Sequence, residues 1–237
     1  MPTITAPLLE LQVLLAAVAP YRSSDEVTPI ITCINLRSID DGGVALLATD
    51  RYQVGEATAP DLALDGADTN GILLPPSVVS YIRSITDRQL LLPIGPAYKV
   101  TIDAPTGTAP TGNNAIAERE SARVTVTVTN GEGETEQIRS FRAMFGHFPP
   151  LHRLFPDDTW KPGLEADILL SPTFLSNLSI TARALTGKPR GHAAVRFSFF
   201  RADGAKKDRP TLITFDEQEY PTSIRARVLI QPYLRRS

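Results

Sequence analysis

The stretch beginning at Ile72 returns 96 residues later, with Ile72-Leu73-Leu74-Pro75-Pro76-Ser77 lying over Ile168-Leu169-Leu170-Ser171-Pro172-Thr173. A repeat of this kind means that one supersecondary unit is used more than once. Each copy reads as a short apolar strand followed by a proline suited to the first turn of a helix, where its missing N–H costs nothing. Val78, Val79, Ile82 and Ile85 then recur at helical spacing, as do Phe174, Leu175, Leu178, Ala182 and Leu185. Gly187 and Pro189 stop the second of these helices. A weaker third copy stands first, where Ile4-Thr5-Ala6-Pro7 precedes Leu8, Leu11, Leu15 and Val18 and the pattern ends at Pro20.

Strand-like runs follow each helix. After the first come 28–36, 43–49 and 52–57; after the second, 89–94, 98–102, 123–129 and 136–141; after the third, 193–200, 211–215 and 224–230. Val124, Val126 and Val128 alternate with threonines, the period-two signature of a strand with one buried face. The expected fold is α+β: three βαβββ units whose antiparallel sheets are covered by helices on one face. Residues 103–120 are rich in Pro, Gly, Thr and Asn and lack periodicity, which predicts a mobile loop.

Composition limits the function. Twenty-four Lys+Arg against 26 Asp+Glu leave a net charge of -2 over 237 residues. That balance excludes a uniformly basic nucleic-acid-coating chain, so any polyanion site must be local. The longest apolar run, from Leu8 to Ala19, is interrupted by Glu10 and Gln12 and is too short to span a bilayer. The first residues do not read as a secretory signal, and a single cysteine, Cys33, forms no internal disulfide. Both readings lead to an expected cytoplasmic location.

Catalytic and metal-binding patterns are missing. The sequence contains no G-x-S-x-G, no phosphate loop ending in Lys-Ser/Thr, no H-E-x-x-H and no C-x-x-C. His147, His152 and His192 do not fall at i,i+4, and one cysteine cannot complete a thiolate site. Asp157-Asp158 follows Pro156 and reads as a solvated turn. The expectation is a binding or scaffolding protein that is not an enzyme and uses no cofactor or metal.

Three segments resemble one family. Leu46-Leu47-Ala48-Thr49-Asp50-Arg51-Tyr52-Gln53-Val54 resembles a strand and turn of the bacterial DNA polymerase III β sliding clamp, the processivity ring. Phe148-Pro149-Pro150-Leu151-His152-Arg153-Leu154-Phe155-Pro156 is similar to that family's linker between its middle and last domains. Arg227-Val228-Leu229-Ile230-Gln231-Pro232-Tyr233-Leu234-Arg235 is similar to its terminal strand and tail. The order of the segments and the intervening βαβββ pattern agree with the family.

The resemblance implies a DNA-clamp-like fold. Residues 1–156 look like the family's middle domain, with halves at approximately 1–70 and 71–156, and 157–237 look like the closing half of its last domain. In the family about twelve such units complete a ring, with helices lining the hole. Three units per chain then imply a homo-oligomer of four chains, although a head-to-tail interface closes only when its rotation fits.

Function follows from the same likeness. A ring around double-stranded DNA needs no base reading, only a lining that attracts phosphates weakly enough to slide. Arg22, Arg83, Arg88, Arg183, Lys188 and Arg190 lie in or just after the three helices and are the candidates; the alternative is ordinary solvated surface. The family also binds motifs of polymerases and loaders in an apolar cleft between its middle and last domains. The matching positions are Thr49, Arg51, Tyr52, Gln53 and Val54 from the turn, Pro149, Arg153 and Leu154 from the linker, and Gln231, Pro232, Tyr233 and Leu234 from the tail. For Val54, Leu154 and Pro232, plain core or strand-end packing is the competing reading. Arg51-Tyr52-Gln53-Val54 stands where the family commonly has Gly-His-Arg-Leu, Gln231 stands for Met, and Arg235-Arg236-Ser237 extends beyond a usually final Leu. The expected function is a sliding-clamp-like processivity factor that encircles DNA and tethers a polymerase or other clamp-binding protein. The competing expectation is a clamp-derived interaction module that does not encircle DNA.

Overall fold

A computed structural model describes residues 1–39, 42–66, 71–85, 98–112, 115–156, 161–162, 170–186, 195–201, 210–215 and 223–231. The first unit contains β1 (Thr3–Pro7), α1 (Leu8–Val18), β2 (Ile34–Ser38), β3 (Val44–Thr49), β4 (Gln53–Ala59) and the short β5 (Leu64–Asp65). The second contains β6 (Ile72–Leu74), α2 (Pro76–Ser84), β7 (Lys99–Asp103), α3 (Ala115–Ser121), β8 (Arg123–Thr129) and β9 (Thr135–Arg142). After β10 (Lys161–Pro162), the third contains α4 (Pro172–Thr186), β11 (Val195–Ser198), β12 (Phe200–Arg201), β13 (Thr211–Phe215) and β14 (Arg225–Ile230).

Prolines set the helix starts. Pro76 and Pro172 occupy the first helical positions of α2 and α4, and Pro7 precedes α1. At the other end of α2, the Gln12 side-chain amide of α1 donates to the carbonyls of Ile82 (2.9 Å) and Ile85 (2.8 Å). Carbonyls at a helix C-terminus have no partner from a following turn, and the Ile82 carbonyl also accepts the Ile85 N–H at 3.3 Å. α1 lies between α2 and α4 and packs against both, so Leu8, Leu11, Leu14, Leu15, Ala17 and Val18 are all buried.

The first two units exchange their opening strands. β1 joins the strands of the second unit in a five-stranded sheet of order β5-β1-β7-β8-β9, with Ile4 opposite Ile102. β6 joins the first unit, with Ile34 opposite Leu74, at one end of a seven-stranded sheet of order β11-β13-β14-β4-β3-β2-β6. In the middle of this second sheet, β14 pairs with β4 over Ala226↔Ala57 to Ile230↔Gln53, so the third unit continues the sheet of the first. Every pairing among the described residues is antiparallel, and β10 with β12 forms a small separate ladder. The α+β architecture matches the expectation.

Alternation gives the seven-stranded sheet two apolar faces. Val44, Leu46, Ala57, Ala226, Val228 and Ile230 face the helices in the main core. Ala45, Leu47, Val54 and Leu229 face the opposite way and are covered by Leu151 and Phe155 of the linker.

Local expectations are corrected in two places. Residues 28–36 are not one strand: Pro29–Thr32 forms a turn of 3-10 helix before β2 begins at Ile34. Residues 103–120 are not wholly irregular, because Ala115–Ser121 is helical, closed by the Ala122 N–H donating to the Glu118 carbonyl at 2.9 Å. Ala115, Ala117 and Glu118 are strong helix formers whose signal a seven-residue segment is too short to display as periodicity. The expected strand at 89–94 and the repeat positions Ile168 and Leu169 lie outside the described residues.

Candidate functional site

The turn between β3 and β4 is fixed by two side chains. The Asp50 carboxylate accepts the N–H groups of Tyr52 (2.9 Å) and Gln53 (2.8 Å) and the Gln53 side-chain amide (2.9 Å). The Thr49 hydroxyl donates to the Gln53 carbonyl at 2.7 Å and accepts the Arg51 N–H at 3.0 Å. These bonds hold Arg51 at φ 81°, a left-handed conformation that non-glycine residues rarely adopt. Its guanidinium pairs with Asp25 at 3.2 Å and donates to the Thr28 hydroxyl. Tyr52 is left projecting, 65% exposed. The Tyr52 carbonyl accepts the Gln231 N–H at 2.9 Å, which ties the end of β14 to the turn.

The linker approaches from the other side. Its 3-10 turn, Leu151–Leu154, buries Leu151, and Phe155 follows it onto the outer sheet face. Arg153 and Leu154 are thereby left exposed. Arg227 of β14 donates to the buried carboxylate of Glu56 on β4, and its guanidinium lies 4.0 Å from the centre of the Phe155 ring.

Between turn, linker and β14 lies a cleft of about 350 Å³, lined by Arg51, Tyr52, Val54, Arg153, Leu154, Pro210, Leu229 and Gln231. Six of the positions expected from sequence therefore meet: Arg51, Tyr52, Val54, Arg153, Leu154 and Gln231. Thr49 and Gln53 are buried behind the wall, where their polar atoms shape the turn. The Gln53 carbonyl oxygen of the side chain also accepts from Asn177 of α4 at 3.4 Å. Pro149 is exposed but off the wall, and Pro232, Tyr233 and Leu234 lie outside the described residues. Leu229 and Pro210 were not expected. Leu229 was recoverable from the alternation of β14, since it points opposite to Val228 and Ile230; no pattern marks Pro210. Val54 and Leu229 make an apolar floor, while two arginines and Gln231 supply donors at its margin, an arrangement suited to apolar side chains on a chain carrying carbonyls or acids.

At the sequence level, no family model and no curated protein matches the chain. Solved structures do match in shape. The crystal structure of a DNA polymerase III β sliding clamp from Bartonella birtlesii, bound to griselimycin, superposes with a TM-score of 0.57 at 14% identity, covering 98% of this chain and 66% of that one. The DNA polymerase III β subunit of Pseudomonas aeruginosa gives 0.55 at 11% identity, covering 99% and 67%. That of Borrelia burgdorferi, in complex with a natural product, gives 0.50 at 11%, covering 98% and 62%. The chain has the sliding-clamp fold. It spans about two thirds of the length of these clamps.

On the helical side of this clamp fold, Arg22, Arg83 and Arg183 are the expected cations within the described residues; Arg88, Lys188 and Arg190 lie outside them. Arg83 and Arg183 sit in the last turns of α2 and α4 and are exposed. Arg22 is half-buried, with its guanidinium donating to the carbonyls of Ala19 and Thr32, both at 3.4 Å. Burial, and then the neighbouring Arg83 charge, depress its pKa. The open side of α1 carries exposed Leu9 and half-buried Glu10, Val13 and Ala16. Burial, with Asp61 nearby, raises the Glu10 pKa.

Among the described residues, no three His, Cys, Asp or Glu side chains gather as a metal site. No described helix is long and apolar enough to cross a membrane. Asp157, Asp158 and His192 lie outside the described residues, while His147 is exposed and His152 half-buried.

Proposed function

We propose that the chain is a sliding-clamp-like processivity factor, a homo-oligomeric ring that encircles duplex DNA and holds a peptide motif of a polymerase or another replication protein in the cleft. The observation that carries this reading is the meeting of turn, linker and terminal strand in one cleft at the β4–β14 seam, within a fold shared with DNA polymerase III β clamps. The chain tethers without catalysing, by raising its partner's effective concentration at the template. Arg22, Arg83 and Arg183, with Arg88, Lys188 and Arg190, supply the phosphate-facing charge in this reading, and the domain limits 1–156 and 157–237 stand with it. Four chains would complete twelve units.

Retention on DNA tests the ring. The full chain, loaded on a nicked plasmid, is expected to stay bound through gel filtration and to be lost when the plasmid is linearised. Equal loss from circular and linear DNA overturns encirclement. One observation favours the second reading, an interaction module that does not encircle DNA: the open side of the central helix α1 is apolar with one acid. In that case the tail peptide of a replicative polymerase binds the cleft while no topological retention is seen.

A further inference from the structure

The third unit carries the same mating face that joins the first two, but nothing within the described residues covers it. The 96-residue repeat puts Val78 over Phe174 and Ile82 over Leu178, and all four side chains are buried against the sheets. The flanks of the helices tell the two apart. On α2 one flank, carrying Tyr81, faces the outer strand β9: Tyr81 donates to Gln137 at 2.9 Å and packs on Phe141. The corresponding flank of α4, carrying Asn177, faces the first unit, where Asn177 donates to the Pro20 carbonyl at 3.1 Å. The opposite flank of α2 carries Val79, which is 1% exposed in the core shared with the first unit. Its counterpart on α4, Leu175, is 51% exposed.

The sheet repeats the contrast. β7 lies between β1 and β8, and its inward residues Val100 and Ile102 are fully buried. The matching strand by register is β11, in which Val195 and Phe197 oppose Phe215 and Ile213 as Val100 and Ile102 oppose Val128 and Val126. β11 ends its sheet, Phe197 is 39% exposed and Val195 is half-buried. The linker ends at 156 and α4 begins at Pro172; the interval is too short for another βαβββ unit to intervene.

We infer that this face, centred on Leu175 and Phe197, is covered by the third unit of a second copy of the chain. The chain itself shows what such a face accepts: another unit of the same kind, related by an approximate twofold exchange. The first and second units are already spent on each other, so the third unit of another copy presents the free complement. A face that mates with itself gives a closed isologous dimer. Even-numbered assemblies follow, built from pairs rather than from a head-to-tail series. The inference deepens the ring reading by naming one of its interfaces, but it requires no DNA.

The test is the mass of the full chain in solution without DNA, by sedimentation across a concentration series. Dimers or multiples of two are expected. The double variant Leu175→Arg with Phe197→Arg places like charges across the axis and should weaken self-association on the order of a hundredfold. A second readout covers failure of that variant to fold: a maleimide should label Leu175→Cys more slowly as protein concentration rises, while Val27→Cys, at a position 89% exposed, labels at a constant rate. Trimers, a monomer at every concentration, wild-type association of the double variant, or concentration-independent labelling at position 175 would each overturn the interface. Loss of retention on circular DNA with the dimer intact would instead count against encirclement alone.

Discussion

Arg227 and Glu56 face each other across the seam where the last strand of the chain joins the first unit, and the carboxylate is 3% exposed while the arginine is 40% exposed. The same guanidinium lies over Phe155, so one side chain holds two units and the linker together. Replacing it by Met should cost about 2–3 kcal/mol, because an unpaired buried carboxylate remains, reduced by water reaching the open side. Urea unfolding measures this, and Glu56→Gln should cost less. Equal stability of Arg227→Met and wild type would remove the pair from the seam's energetics.

Gly55 is tied to Tyr21. A Cβ at position 55 would stand 2.1 Å from the Tyr21 ring, which is itself fully buried and bonded to Thr181 at 2.9 Å. Gly55→Ala is expected to destabilise by roughly 1–3 kcal/mol through overpacking. Combined with Tyr21→Leu, the loss should be less than additive. Strict additivity of the two melts would show that the contact is not the cause.

Cleft residues should separate binding from stability. Tyr52 and Leu154 are 65% and 49% exposed, so Tyr52→Ala and Leu154→Ala should leave the thermal midpoint within about a degree or two. Each should weaken an anisotropy-detected complex with a polymerase tail peptide by about tenfold. Arg51→Gly relieves the positive φ, worth roughly 1–2 kcal/mol, but removes the Asp25 pair and the Thr28 hydrogen bond, so its net effect on stability should stay within about 1 kcal/mol. Unchanged peptide affinity in both alanine variants would place the binding site elsewhere.

Alkaline stability has a defined sign. Burial pushes the Cys33 thiol from an ordinary value near 9.0 up to about 11, and raises the Tyr21 phenol further above its usual range. The unfolded chain loses these protons first as pH rises, so the Cys33 contribution is complete below about pH 9 and lost by about pH 11, while that of Tyr21 starts to fall only near its ordinary value of 10.0 and keeps falling beyond pH 11. Urea midpoints measured between these limits should fall, and Cys33→Ala should flatten the early part of the decline. A midpoint that rises over this interval would contradict the assignment.

Charge reversal tests the helical face. Arg83→Glu with Arg183→Glu should reduce retention on circular DNA and lower the salt slope of binding by about two. Retention unaltered at low and high salt would exclude both from the lining.

Sequence pattern revealed α1, α2 and α4 because each begins at or just after a proline and buries residues at helical spacing, and it revealed β8 because Val124, Val126 and Val128 alternate. It did not reveal where β1 and β6 go. Ile4-Thr5-Ala6 and Ile72-Leu73-Leu74 show a buried strand, but period alone names no pairing partner. In the cleft, Thr49 and Gln53 could not be told from Tyr52 by type, since the Asp50 carboxylate decides which side chains turn inward. The turn at Pro29 and the short helix at Ala115 depend on only four and seven residues, too few to stand out.

Exchange of the opening strands also orders events in time. Thr3 is bonded to Asp103, 100 residues away, at 2.6 Å, so the ladder of β1 with β7 closes a long loop, and non-local pairing of this kind slows folding. α1, in contrast, packs on β3, β4 and α2, all of which lie between it and β7 in the chain. Refolding is therefore expected to fix β1 late, after the contacts that α1 makes with β3 and β4.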